Sequence, residues 1–466
     1  MITEARSNRQ AVLALLALAG VLAYTTFQWG GVVRTGRYQC LLLLGLLAIL
    51  LRFGRSGHQF SPFPGRVLQW AATFLPAYVL WQVVPLPVAV LRVLSPMRAE
   101  AMDALGPVGA KVHFASLSVL SEGTFQYFLL VCAYVVTFLL IRELTWRFRD
   151  RRWLVIWPVL GIAALEAGLG LLQYFGGTGE QVRWGTYANH NHYAGFLEMS
   201  LPFAVMCPVA VLRRANSRWR SSLAPALGAS GVWALAVLIF SGIILSFSRM
   251  GFIATLSSLF GMGTLLLGTP QLGWVTMSRR HRLVGVGMLA SLVLAGFVFL
   301  PPNRLIQRFA RFAMTDELTS EGRADIWAET IPLIRAYPLF GCGLGEFEAA
   351  FSKFKRSEML LTVDFAHNDY LQLLAELGLA GFAIGAALAF SIVSMGLRGA
   401  MKSSDPERRY FAVACVGALS AIAVHSLVDF NLYIPANAML LAWIAGMAVE
   451  SHVSTMHARE RSDTRA

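Results

Sequence analysis

Apolar residues along this chain fall into blocks long enough to cross a bilayer, and polar residues gather in the short intervals between them. A helical crossing needs about 20 mostly apolar residues. Twelve stretches approach that length, at about 11–28, 38–52, 67–85, 124–141, 153–173, 192–212, 230–247, 250–268, 283–300, 369–396, 410–428 and 432–449. The pattern predicts an all-α, polytopic integral membrane protein of about twelve transmembrane helices. The two stretches flanking Arg249 read either as separate helices or as one broken helix. Cations mark alternate connections: Arg142, Arg147, Arg149, Arg151 and Arg152 lie in one, Arg213, Arg214, Arg218 and Arg220 in another, and Arg398, Lys402, Arg408 and Arg409 in a third. Short loops rich in Lys and Arg stay cytoplasmic, so both termini are expected there. The opposite face receives 86–123, 174–191 and 301–368, the last far longer than an ordinary connection.

Composition agrees with the pattern, at 56% hydrophobic and 14% charged over 466 residues with a mean hydropathy of +0.58. The net charge of +13 follows from the cytoplasmic cation bias, so nucleic acid is not an expected partner. Of five cysteines, Cys40, Cys132, Cys207 and Cys415 lie in apolar stretches and Cys342 stands alone in the long loop, with neither disulfide nor zinc spacing. The first apolar stretch lacks a small-residue cleavage site and reads as a retained helix. No internal repeat stands out. Residues 1–450 are expected to form one membrane domain and 451–466 a short cytoplasmic tail.

The long loop carries structure of its own. Arg304, Arg308 and Arg311 at helical spacing, with Leu305, Ile306, Phe309 and Phe312, describe a basic interfacial helix suited to anionic lipid. A second helix is expected from about Gly322 to Pro338, and a third carrying Phe347, Phe351 and Phe354. Gly341-Cys342-Gly343-Leu344-Gly345 has no preceding strand and reads as a turn rather than a dinucleotide loop. His367 places an imidazole where the chain re-enters the membrane, either as proton-transfer group or as polar boundary residue. Arg249, between two apolar stretches, is either functional or a snorkelling anchor. Arg323 either meets an anion or steadies its helix through Asp325 or Glu321, and Arg183 either contacts substrate or caps its loop. The Asn189-His190-Asn191-His192 run lacks a Cys or acidic partner and reads as a polar helix start near Tyr193, with no metal expected. Glu166, Glu198 and Glu376 fall within spans, where they line a cavity or pair with an Arg. Asp429 and Asn431 separate the last two spans near the outer face, either as a turn or as contacts to an acceptor, the turn being the preferred reading.

His367-Asn368, nine residues, then Gly378 and Gly381 resembles the H-[NSQ]-x9-G-x2-[GTY] signature of the O-antigen ligase superfamily. Gly322-Arg323-x3-Trp327 with Pro338-x2-Gly341-x-Gly343, together with 183–191 and 246–251, resembles further stretches of that family, over about 180–390 in all. The resemblance implies a GT-C-like membrane glycosyltransferase acting on a polyprenyl (undecaprenyl) diphosphate-linked glycan, in the bacterial inner membrane with its site facing the periplasm. It implies an acceptor hydroxyl on lipid A core or another glycan, with glycan polymerisation and protein O-glycosylation as alternatives; a lipid-linked glycan transporter is the reading from another class. A diphosphate leaving group needs fixed cations and the acceptor needs a base. Arg249, Arg323 and Arg183 are the candidate diphosphate ligands and His367 the candidate base. Asn189, Asn191 and Asn368 are candidate substrate-lining groups, with Trp184, Tyr187 and Trp327 as sugar-stacking surfaces. The expected reaction is direct, inverting displacement without cofactor or metal.

Overall fold

In lipid, every backbone polar group must be satisfied within the protein, which leaves helices as the form these apolar blocks can take. The computed structural model describes residues 2–53, 65–108, 111–176, 184–218, 224–267, 320–356, 362–403 and 405–463. Its helices are α1 (Ile2–Phe27), α2 (Arg34–Phe53), α3 (Arg66–Val83), α4 (Val88–Leu94), α5 (Pro96–Asp103), α6 (Ser121–Arg147), α7 (Trp157–Gly176), α8 (His190–Arg218), α9 (Ala224–Leu245), α10 (Arg249–Leu267), α11 (Ser320–Ala336), α12 (Phe347–Phe351), α13 (Asp369–Lys402), α14 (Pro406–His425) and α15 (Pro435–Asp463). The protein is an all-α, polytopic membrane protein: by length and composition seven of these helices can cross a bilayer, namely α1, α6, α7, α8, α9, α10 and α13. The stretches foreseen at 38–52, 67–85, 410–428 and 432–449 are helical as well, in α2, α3, α14 and α15. Arg183, the stretch at 283–300 and the helix with Arg304, Arg308 and Arg311 lie outside the described residues.

The centre of the bundle is α8, apolar on all sides and packed against α9 and α14, while α15 packs on α6 and α10 on α14. The two helices around Arg249 are separate, because Phe247 takes a left-handed backbone (φ 57°) and Ser248 accepts from the Gly251 amide at 3.0 Å, starting α10 anew. α14 begins with Asp405 as its cap and Pro406 in its first turn, two features that preset a helix start.

The two ends of the bundle differ in chemistry. At one end Arg152 meets Asp405 at 3.5 Å and Arg214 meets Glu407 at 3.2 Å, beside Arg213 and Arg409. At the other end lie the segment after α3, the 184–189 turn, the α9–α10 turn, the α11–α12 region and the α14–α15 turn. There Leu86–Pro87 and Phe114–Ala115 pair as a two-stranded antiparallel ribbon, β1 and β2. Val119 donates to the Cys342 carbonyl at 2.8 Å, joining the segment after α3 to the glycine-rich turn.

Candidate functional site

The site is organised by a break in α13. At Gly378 the backbone adopts φ 62° and ψ −174°, a combination open almost only to glycine, and the helix divides into 369–377 and 379–402. A break frees amides and carbonyls that a membrane interior cannot leave unpaired. Five of these groups find partners outside the helix. The Leu379 and Ala380 amides donate to the Pro338 and Leu339 carbonyls at 2.9 and 3.0 Å. The Ala375 and Glu376 carbonyls accept from Cys342 and Gly343 amides, each at 3.0 Å. From α3, Gln82 donates to the Glu376 carbonyl at 2.9 Å and the Tyr78 hydroxyl to that of Leu377 at 2.6 Å. The Glu376 carboxylate accepts from the Gly345 amide at 2.7 Å and from Tyr433. The Gly341–Gly345 run is thus the turn expected from sequence, and its task is to seal the break.

The outer half-helix carries His367 at its head. Asn368 caps it, accepting from the Tyr370 and Leu371 amides at 3.0 and 3.1 Å, and its own amide donates to the Leu427 carbonyl at 2.8 Å. Asp369 is fully buried and accepts from the Ser426 hydroxyl at 2.7 Å, while the Trp327 indole donates to the Ala366 carbonyl at 2.9 Å. Pinned on both sides, His367 sits in a left-handed conformation (φ 49°), an outlier of the kind that gathers at functional sites. Its Nδ1 lies 3.9 Å from Asp429 Oδ1, and His192 Nε2 lies 3.6 Å from the same oxygen. Those distances are ion-pair rather than hydrogen-bond contacts. The Phe430 ring makes T-shaped contacts with the His367 and His192 imidazoles, centroids 4.9 and 4.6 Å away, and stacks on Phe365 at 4.0 Å.

Burial pushes the His367 imidazole down to about 4, with Arg323 and His192 acting in the same direction and Asp429 opposing. Burial alone would raise the Asp429 carboxyl, but the facing His192, His425 and His367 hold it below the usual carboxylate range. At neutral pH the site therefore pairs a neutral imidazole with an ionised carboxylate. Unfolded His367 would take up its proton near 6.5 and the folded ring only near 4. The group is accordingly indifferent to stability above 6.5 and increasingly destabilising as pH falls from there. A histidine NMR titration of the detergent-solubilised protein is expected to place the His367 midpoint below about 5; a midpoint at the ordinary value would contradict the burial argument.

A family model described as O-antigen ligase matches residues 234–386. This part of the chain is similar to the O-antigen ligase family. No curated protein matches it. That likeness supports a ligase- or polymerase-type role in polysaccharide biosynthesis, on glycan and lipid substrates in general. The matched O-antigen ligase region includes the α9–α10 turn, the Arg323–Gly343 segment and the His367–Gly381 signature; the 183–191 stretch precedes it.

Within the bundle the structure brings His367, Asn368, Trp327 and the charge of half-buried Arg323 together. Arg249 is exposed at the first position of α10, on the same end; two residues on, Gly251 packs against Ala194 near the head of α8. Asn189 accepts from the Asn191 amide at 2.8 Å, so both shape the start of α8, which begins at His190 rather than near Tyr193. Trp184 is half-buried against the His190 ring at 5.1 Å. Tyr187 is 3% exposed, with its hydroxyl donating to Asn437 at 3.1 Å, which leaves it no open face for a sugar. None of the three buried glutamates pairs with an Arg in the contacts described above or here: Glu376 seals the break, Glu166 accepts from Thr186 at 2.6 Å, and Glu198 faces His425 at 3.0 Å. Asp429 is in a turn, as expected, yet it also anchors the imidazole cluster. Sequence reasoning took His192 as part of a helix start, preferred a turn to an acceptor contact for Asp429, and did not single out His425; a lone imidazole inside the apolar 410–428 stretch was the available signal. Among the described residues no group of three or more His, Cys, Asp or Glu side chains has metal-binding geometry.

Proposed function

We propose that this protein transfers a preassembled glycan from a polyprenyl diphosphate to an acceptor hydroxyl on lipid A core or another glycan, on the periplasmic face of the bacterial inner membrane. The observation that carries this reading is the neutral His367 imidazole backed by the Asp429 carboxylate, with Arg323 beside it. With Nδ1 turned to Asp429, Nε2 accepts the acceptor proton as oxygen attacks the anomeric carbon. The glycosidic bond breaks to the diphosphate, whose growing charge is met by guanidinium groups with forked donors. Arg323 has a buried Nε without a hydrogen-bond partner and Arg249 stands on the same end, so both are assigned to the diphosphate, with Arg183 as a third ligand. The cation-rich opposite end supports a cytoplasmic placement for it and for both termini. No step requires a metal.

Reconstitution in proteoliposomes with a labelled polyprenyl-diphosphate glycan tests this. The expected product has the anomeric configuration inverted on a lipid A core or glycan acceptor; a retained configuration would sink direct displacement. Chain extension of the lipid-linked glycan itself would assign polymerisation instead, and movement of intact donor across the bilayer without transfer would assign transport. Arg249→Ala and Arg323→Ala are each expected to weaken donor binding by at least ~10-fold, the loss of one charge-assisted contact. Unchanged binding in both would remove them from the diphosphate site.

A further inference from the structure

Behind Asp429, away from His367, lies a second buried pair that the proposed transfer does not use. His425 ends α14 and Glu198 is in α8, and both are fully buried. Nδ1 of His425 is 3.0 Å from each Glu198 carboxylate oxygen, and its Nε2 is 3.9 Å from Asp429 Oδ2. That Nε2 and Asp429 Oδ2 have no other hydrogen-bond partner. Both ring nitrogens thus face carboxylate oxygens. Carboxylates only accept, so the ring satisfies both sides when each nitrogen carries a hydrogen, and it then sits as a cation between two anions. Asp429 in turn faces His367 and His192 through its other oxygen.

We propose that the Glu198–His425 pair is a positioning element for the reaction: His425 holds and partly cancels the Asp429 carboxylate, and so limits how strongly that carboxylate draws a proton onto His367. The proposal rests on the reading of His367 as base. The groups facing His367 are Asp429 from the α14–α15 turn, His192 from α8 and Arg323 from α11, with Asp369, His425 and Glu198 one step behind. Of these, His425 lies on the far side of Asp429 from His367, between that carboxylate and Glu198, so changing it alters the charge of the network from behind and leaves the substrate side intact.

The test is the pH profile of glycan transfer by the reconstituted protein, with His425→Asn and the double variant Glu198→Gln/His425→Asn. The double variant removes both charges of the pair, so Glu198 is not left as a buried carboxylate without its cation, and the fold survives a loss that the single change alone would aggravate. With His425 gone, Asp429 acts on His367 at full strength, and the acid limb is expected to move up by about 1 pH unit, the scale of one nearby charge. Donor KM stays as in the parent, because the arginines are untouched. An acid limb unmoved in the folded double variant overturns the proposal, since a purely structural pair would lower activity without displacing the limb. His367→Ala, measured alongside, separates the two claims. Its loss of transfer leaves the limb as the readout of His425, whereas full transfer would overturn the base reading and this proposal together.

Discussion

His367→Ala is expected to lower the rate of glycan transfer by ~10²–10⁴-fold, the usual contribution of a positioned general base, with donor affinity unchanged. The split follows from the geometry. His367 is 19% exposed at its side chain, enough to reach an acceptor, while its Nδ1 faces a carboxylate that is almost fully buried. The tautomer with its proton on Nδ1 is thereby favoured and Nε2 is left to accept. The segment holding the ring is fixed by Trp327, by the Asn368 cap and by Asp369 on Ser426, none of which depends on the imidazole. Alanine therefore removes the base without removing its platform. Rates and donor binding measured on the same proteoliposome preparation check this, and normal turnover would take His367 out of catalysis.

The second large effect is on folding. Gly378→Ala and Gly341→Ala are expected to leave little monodisperse protein after detergent extraction. A Cβ on Gly378 would lie 2.5 Å from the Gly341 nitrogen and from two further backbone atoms, and one on Gly341 would overlap the Glu376 carbonyl. Backbone cannot swing aside as a side-chain tip can. Both positions also need positive φ, at 62° and 72°, which adds about 1–3 kcal/mol of strain for any residue with a Cβ. Size-exclusion profiles and thermal unfolding against the parent measure the loss. Gly385→Ala, where a Cβ meets nothing within 4 Å, is the matched control in the same helix.

The difference between these glycines shows what a sequence makes legible. The apolar blocks gave the helices because length and hydropathy are local, and the start foreseen near 322 is close to that of α11 for the same reason; the helix foreseen to carry Phe347, Phe351 and Phe354 is α12, which ends at Phe351 and leaves Phe354 beyond it. The signature residues were legible as a pattern, and the structure supplies their physics: a strained His367, a capping Asn368, a helix break at Gly378, and close packing of Gly381 against Tyr78. Asp429 was legible as a turn or an acceptor contact but not as an anchor for imidazoles, because those come from α8, α13's approach and α14 and converge on it from positions 192, 367 and 425. Tyr187 failed as a sugar surface since an aromatic beside a loop looks the same in sequence whether it faces solvent or Asn437. Spacing along one chain cannot report which distant ends meet.

That convergence has a consequence for biogenesis. The Glu376 and Leu377 carbonyls rely on Gln82 and Tyr78, which enter the membrane 294 and 299 residues earlier, and the head of the half-helix rests on a turn synthesised some sixty residues later. A nascent chain halted between His367 and that turn holds every motif up to His367 and still lacks the contacts that place the imidazole. The site therefore assembles late and all at once, and if the proposed transfer holds, partly inserted intermediates carry lipid-facing helices but no capacity to consume the donor.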